Sequence, residues 1–220
     1  MTSAGTFPQR LTKIDDLVRP DHFYLTPADE CYFLGEYTAR KGFAFSATNQ
    51  LILNFKKSMN KRNSLQWRYK EKAIEEAAAA FRASVNSDWL DNATLVPIPP
   101  SKSKSDPLYD DRLVRMVRSI RVQPILDVRE LLFQLASTVA AHDQENRPTP
   151  EQIQANYAID QAICEPVPQV IGLFDDVLTT GAHFRAASTA LQQSFSGVKI
   201  VGLFIARRVP EAADIEDFEV

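Results

Sequence analysis

The stretch VIGLFDDVLTTGAHF, residues 170–184, runs from apolar residues into two adjacent carboxylates, Asp175 and Asp176. Two hydroxyls and a glycine follow within five residues, as Thr179, Thr180 and Gly181. Neighbouring carboxylates at the end of a buried strand are costly unless something uses them. The apolar run QVIGLF (169–174) reads as a strand and AHFRAASTALQQSF (182–195) as a helix. The turn between them is therefore a helix N-terminus, where unpaired N–H groups and the helix dipole favour an anion. Gly181 permits a positive φ or a close approach of the backbone. A phosphate held by Thr179, Thr180, Gly181, Ala182 and His183, with two carboxylates just upstream, matches a sugar phosphate. The amides take the phosphate, and the carboxylates accept hydrogen bonds from a vicinal diol. Each such charge-assisted bond contributes roughly 1.5–3 kcal/mol.

Positioning this turn requires a parallel sheet. QVIGLF and VKIVGLFIAR (198–207) are near-continuous apolar runs, as in strands covered on both faces. With the intervening helix, whose Phe184, Ala187, Leu191 and Phe195 share a face, they form a right-handed βαβ unit. Upstream, CYFLGEYTA (31–39) reads as a strand. SATNQLILNFKKSM (46–59) reads as a helix capped by Ser46 or Thr48. In SLQWRYKEKAIEEAAAAFRASV (64–85), Trp67, Ile74, Ala77, Phe81 and Val85 form an apolar stripe with charges opposite. ATLVPIPP (93–100) reads as a buried strand, and DRLVRMVRSI (111–120) as a helix with Asp110 or Asp111 near its start. PILDVRELL (124–132) reads as a strand passing into a turn, and YAID (157–160) as a short strand. Residues 137–156 are polar, a long loop with or without a short helix after Pro150. The expected fold is α/β: a mostly parallel twisted sheet with helices on both faces. Its parts are an irregular N-terminal arm (1–32), the main domain (33–210) and an acidic tail (211–220).

Composition narrows the function classes. A chain of 220 residues with 45% hydrophobic and 24% charged side chains is an ordinary globular protein. A formal net charge of -3 excludes a polyanion-binding surface over the whole molecule and leaves room for a local basic cleft. The two cysteines, Cys31 and Cys164, are far apart and suit neither a zinc knuckle nor a disulfide framework. With no stretch of membrane-spanning length and no leader-like start, the expected location is the cytoplasm.

The motif in 170–184 resembles the phosphoribosyl-pyrophosphate (PRPP) motif of type I phosphoribosyltransferases: hydrophobic strand, two acids, two apolar residues, then T-T-G. That resemblance implies that Asp175 and Asp176 bind the ribose 2- and 3-hydroxyls, and that residues 179–183 bind the 5-phosphate. TLVPIPPSK, GEYTA…LILNFKK and NRPTPEQIQANYAID are similar to segments of the ComF-type subgroup, so the likeness spans roughly residues 33–210. Two departures stand out. The cysteines of that subgroup's zinc ribbon are missing, and SKSKSDPLYDDR is rich in Asp where the subgroup has more arginine and glycine.

The resemblance implies transfer of a phosphoribosyl group with release of pyrophosphate, and Mg²⁺ bound mainly through PRPP. Ser101, Lys102 and Lys104 are the candidate pyrophosphate loop. The segment 137–156 is the candidate closing loop, with His142 and Arg147 as its cationic side chains and Arg129 just before it. Purine-salvage members place an acid where Thr179 stands, which points away from hypoxanthine or guanine as acceptor. His183 would donate to the phosphate or cap the helix. Tyr109 would stack on a base or pack inside. The expected partner is PRPP or a related ribose phosphate, with a homodimer left open, no membrane, and no support for nucleic acid from the overall charge. Two other readings stand beside the transferase: a non-catalytic PRPP or nucleotide sensor, and an accessory factor in DNA uptake or processing by ComF-type analogy.

Overall fold

The computed structural model describes residues 6–138 and 148–210. Its centre is a five-stranded sheet in the order β1-β2-β7-β6-β3. The strands are β1 (Thr12–Lys13), β2 (Glu30–Thr38), β3 (Ala93–Pro97), β6 (Val170–Leu178) and β7 (Lys199–Val209). Strands β2, β7, β6 and β3 are mutually parallel, and only the edge strand β1 is antiparallel. A small antiparallel pair, β4 (Leu132–Gln134) and β5 (Tyr157–Ile159), stands apart from it. The molecule is therefore α/β with a mostly parallel sheet, as the apolar runs imply.

Side-chain alternation divides the core in two. Phe174 of β6 and Val201, Leu203 and Ile205 of β7 face helices α1 (Ala47–Phe55), α2 (Trp67–Ser84) and α4 (Arg112–Ser119). Ile171 and Leu173 of β6 and Phe204 of β7 face helix α6 (Ala182–Ser194). An edge-on aromatic pair pins each layer: Phe81 with Phe174 at 5.2 Å, and Phe184 with Phe204 at 6.1 Å. Gly202 lets α6 lie close, because a Cβ there would meet Phe184 at 2.8 Å. Two short helices complete the set. Asn86 caps α3 (Ser87–Asn92), and Thr149 with Gln152 forms a capping box on α5 (Pro150–Gln154). The Ser46 cap on α1 is as expected from sequence.

Four features differ from the sequence reading. β6 does not stop at Phe174 but runs through both aspartates to Leu178. The stretch 124–132 makes only a single bridge, Val128 to Leu95, with β4 beginning at Leu132. There the Asp127 carboxylate is held by Arg129 and by Thr94, and Arg129 reaches across to the carbonyl of Pro166. Those side chains fix a loop in place of a strand. Lys70, which falls at helical spacing between Trp67 and Ile74 on the apolar stripe itself, is fully buried despite its charge. The N-terminal arm is irregular, yet Phe7, Ile14, His22 and Leu25 are buried in the body of the protein. The candidate loop residues His142 and Arg147 and the acidic tail lie outside the described residues. Among the described residues no helix is long and apolar enough to cross a membrane.

Candidate functional site

Asp175 and Asp176 are consecutive on an extended strand, so their side chains leave opposite faces of the sheet. Asp176 turns toward the ends of α1 and α4. Its carboxylate lies 2.9 Å from the Lys56 ammonium and 2.8 Å from the Arg112 guanidinium. Arg112 also reaches Asp110 at 2.7 Å, and Asp110 takes a 2.6 Å bond from Lys70. Lys70 donates again to the carbonyl of Lys57 at 2.8 Å, just past the end of α1. Burial works against the Asp176 charge, but Lys56 and Arg112 outweigh it and hold the carboxyl far below the usual range.

Asp175 faces the other way and is half-buried. Its only hydrogen bond among the described residues comes from the Asp176 N–H, at 2.7 Å. Burial first, then the Asp176 charge beside it, push its pKa up to about 7. On this side Tyr157 is buried, with its hydroxyl 3.3 Å from Nδ1 of His183. The two neighbours thus have unlike characters. One is an ion-paired anion, and the other is a half-buried carboxyl with no ion pair among the described residues.

The turn that follows is shaped by the N-terminal arm. His22 donates from Nδ1 to the carbonyl of Thr179, and the Tyr24 N–H donates to the carbonyl of Thr180 at 3.0 Å. Burial lowers the His22 pKa despite the bond to Thr179, so the ring is neutral. In a trans peptide the carbonyl and the next N–H point in opposite directions. Drawing both carbonyls toward the arm therefore aims the N–H groups of Thr180 and Gly181 away from it. Gly181 sits at the N-cap of α6 in the left-handed region, at φ 87°, and has no side chain to cap the helix; the Thr180 hydroxyl accepts from the Ala182 N–H at a long 3.4 Å. The first-turn N–H groups of α6 thus join those of the turn. Arg185, one turn into α6, bonds the carbonyl of Tyr24 at 3.3 Å and pairs with Asp29, fastening the arm from the other side.

A Cβ on Gly181 would lie 3.1 Å from Leu25 of the arm, in a backbone region that L-residues avoid. Gly181→Ala is expected to destabilise the protein by about 1–2 kcal/mol. The melting temperature should fall by roughly 2–8 °C for a domain of this size. Thermal denaturation followed by circular dichroism checks this, and an unchanged melting temperature would show that the arm does not press on the turn.

The candidate pyrophosphate loop leaves β3 beside the aspartates, where the Ile98 N–H bonds the carbonyl of Phe174 at 2.9 Å. Ser101 accepts from the N–H of Thr138 at 2.8 Å. Lys102 lies 3.7 Å from Asp106, and Lys104 lies 2.8 Å from Glu130. The fold brings this loop to the same sheet end as Asp175, with both lysines already facing carboxylates. Sequence reasoning missed Arg112, Lys70, Tyr157 and His22. Only Asp110 and Arg112, polar residues opening an otherwise amphipathic helix, left a readable trace. No protein-family model matches this chain, and a search of curated proteins finds no match.

Proposed function

We propose that the protein binds PRPP or a related ribose phosphate and transfers its phosphoribosyl group, releasing pyrophosphate, on a type I phosphoribosyltransferase-like fold. One observation carries the reading. A carboxylate near the end of β6 is followed, across a short turn, by a helix N-terminus with a glycine at its N-cap, and the turn amides are aimed by bonds to the preceding carbonyls. A ribose 5-phosphate fits that order of groups. The phosphate takes the amides of residues 180–183 and the hydroxyl of Thr180, while the diol donates to Asp175. Asp176 acts on the ribose edge only within its ion pairs, so Asp175 is the freer acceptor of the two.

Among the described residues no cluster of three or more His, Cys, Asp or Glu could hold a metal ion. A Mg²⁺ ion would accordingly take most of its oxygens from the pyrophosphate and water, as is usual for this ion. When bound, it would offset charge on the leaving group. The chain's own share of the chemistry is to fix the ribose ring and keep water from its C1 carbon while the bond to pyrophosphate breaks.

A second reading, a non-catalytic sensor of the same ligand, is favoured by the pairing of Lys102 and Lys104 with Asp106 and Glu130, and by a threonine at 179. Titration calorimetry with PRPP and Mg²⁺, followed by a pyrophosphate-release assay over bases, amines and nucleosides, separates the two. The transferase reading expects binding and release with at least one acceptor class. Binding without release across the panel would establish the sensor, and no binding of PRPP or ribose 5-phosphate would overturn both.

A further inference from the structure

From residue 37 to residue 70 the chain carries eight basic side chains and no acidic one. The remainder keeps 17 of the 25 basic residues and all 28 acidic ones. A protein with net charge -3 has thus gathered a third of its cations into one uninterrupted segment. Two of the eight are engaged, Lys56 with Asp176 and Lys70 with Asp110. The other six, Arg40, Lys41, Lys57, Lys61, Arg62 and Arg68, form no ion pair among the described residues. Five of these six are exposed and Lys57 is half-buried.

The same segment exposes its aromatic rings. Phe43 is 48%, Phe45 55% and Tyr69 43% exposed. Cations lie over them. The Lys57 ammonium is 5.8 Å from the Phe43 ring and 5.3 Å from Tyr69, Lys41 is 6.0 Å from Phe45, and Arg68 is 4.9 Å from Tyr69. Beside this patch a cavity of about 400 Å³ opens between Trp67 and Tyr109, lined also by Arg62, by the Glu71–Arg115 ion pair and by Asp111. Rings interleaved with uncompensated cations are the two elements that hold an unpaired polynucleotide, whose phosphates seek charge and whose bases seek flat apolar faces. A duplex hides those base faces. An anionic bilayer would call for an amphipathic helix with its apolar side outward, whereas the apolar side of α1 is buried in the core.

We propose that the surface formed by residues 40–45, 57–62 and 67–69 binds single-stranded nucleic acid. Phosphates lie along the six unpaired cations, bases stack on Phe43, Phe45 and Tyr69, and one base enters the cavity between Trp67 and Tyr109. The reading is independent of the ribose-phosphate site. Consecutive residues divide the two surfaces, since Lys56 turns to Asp176 and Lys57 to the rings.

The test is fluorescence anisotropy of a labelled 20-nucleotide oligothymidylate with the full chain. Binding is expected, with a log–log salt slope of roughly -3 to -4 for five or so phosphate contacts on a single strand. Phe43→Ala with Tyr69→Ala should weaken binding at least tenfold, from a loss of about 1–3 kcal/mol per stacked base. Lys57→Gln with Arg68→Gln should make the slope shallower by roughly 1–1.5. In a Trp89→Phe variant Trp67 is the remaining tryptophan, and its emission should be quenched by the oligonucleotide. Because the substituted patch residues are largely surface groups, their melting curves should match the parent. No binding at low salt would overturn the proposal. So would equal or tighter binding of a duplex, of heparin, or of phosphatidylserine vesicles, or binding unaffected by loss of the two rings.

Discussion

Asp175→Asn is expected to make the protein more stable at pH 8 and nearly unable to hold a ribose phosphate. In the folded chain the Asp175 pKa lies near 7, well above its ordinary 3.8, through burial and the adjacent Asp176 charge. The folded state therefore binds more protons than the unfolded chain between these values, and stability falls as pH rises from about 4 to about 7. Above that window the ionised group opposes folding. Because Asp175 is only half-buried, water screens part of that cost and leaves about 2 kcal/mol. The asparagine removes it, so the melting temperature should rise by roughly 4–8 °C at pH 8 and barely change at pH 4. The same change takes away the charged acceptor for the diol, and affinity for ribose 5-phosphate should drop roughly 10- to 150-fold. In the parent, affinity should fall as pH drops through about 7. Scanning calorimetry at both pH values and ligand titration read the two effects separately. A variant that loses stability at pH 8, or keeps its affinity, would remove Asp175 from the binding role.

Lys70→Met is expected to lower stability by about 3–5 kcal/mol at pH 7. The methionine fits the space but leaves the Lys57 carbonyl without its donor and leaves Arg112 as the one remaining ion-pair partner of the buried Asp110 carboxylate among the described residues. The damage should travel along the ion pairs to Arg112 and from there to Asp176, so ribose-phosphate affinity should weaken although Lys70 is far inside the core. Adding Asp110→Asn to Lys70→Met should recover part of the stability, because it removes a buried carboxylate that has lost one of its two cationic partners, while Arg112 keeps Asp176. Chemical denaturation of the parent, single and double variants checks this. A single variant within 1 kcal/mol of the parent would mean that water reaches the pair.

Much of this was readable from pattern, and what was not has a physical reason. The apolar runs that became β6 and β7 name a parallel sheet because both faces must be dry, and the stripe in α2 names its buried side. The aspartates could be placed at a strand end. Their opposite directions could not, because the strand's reach to Leu178 depends on pairing with β7, which no local signal encodes. Lys70 sits at helical spacing between Trp67 and Ile74, on the apolar stripe itself, where a charge is an exception that the pattern alone does not explain. Its burial is decided by Asp110, forty residues away. The arm gave no periodic signal at all, since its residues are held one by one, His22 by a carbonyl and Leu25 by a glycine. Segregation of charge in 37–70 was open to simple counting, yet the net charge concealed it.

The clamp of the arm on the turn joins Tyr24 to Thr180, and β2 lies against β7 with Glu30 opposite Val201. The cradle is thus tied together by segments far apart in the chain. Such distant pairings carry a large loop-closure entropy and form late in folding. A growing chain emerging from the ribosome has no ligand site until β6, α6 and β7 are out. The arm around Tyr24 must wait for them, and the ligand then meets either the assembled cradle or nothing it can bind.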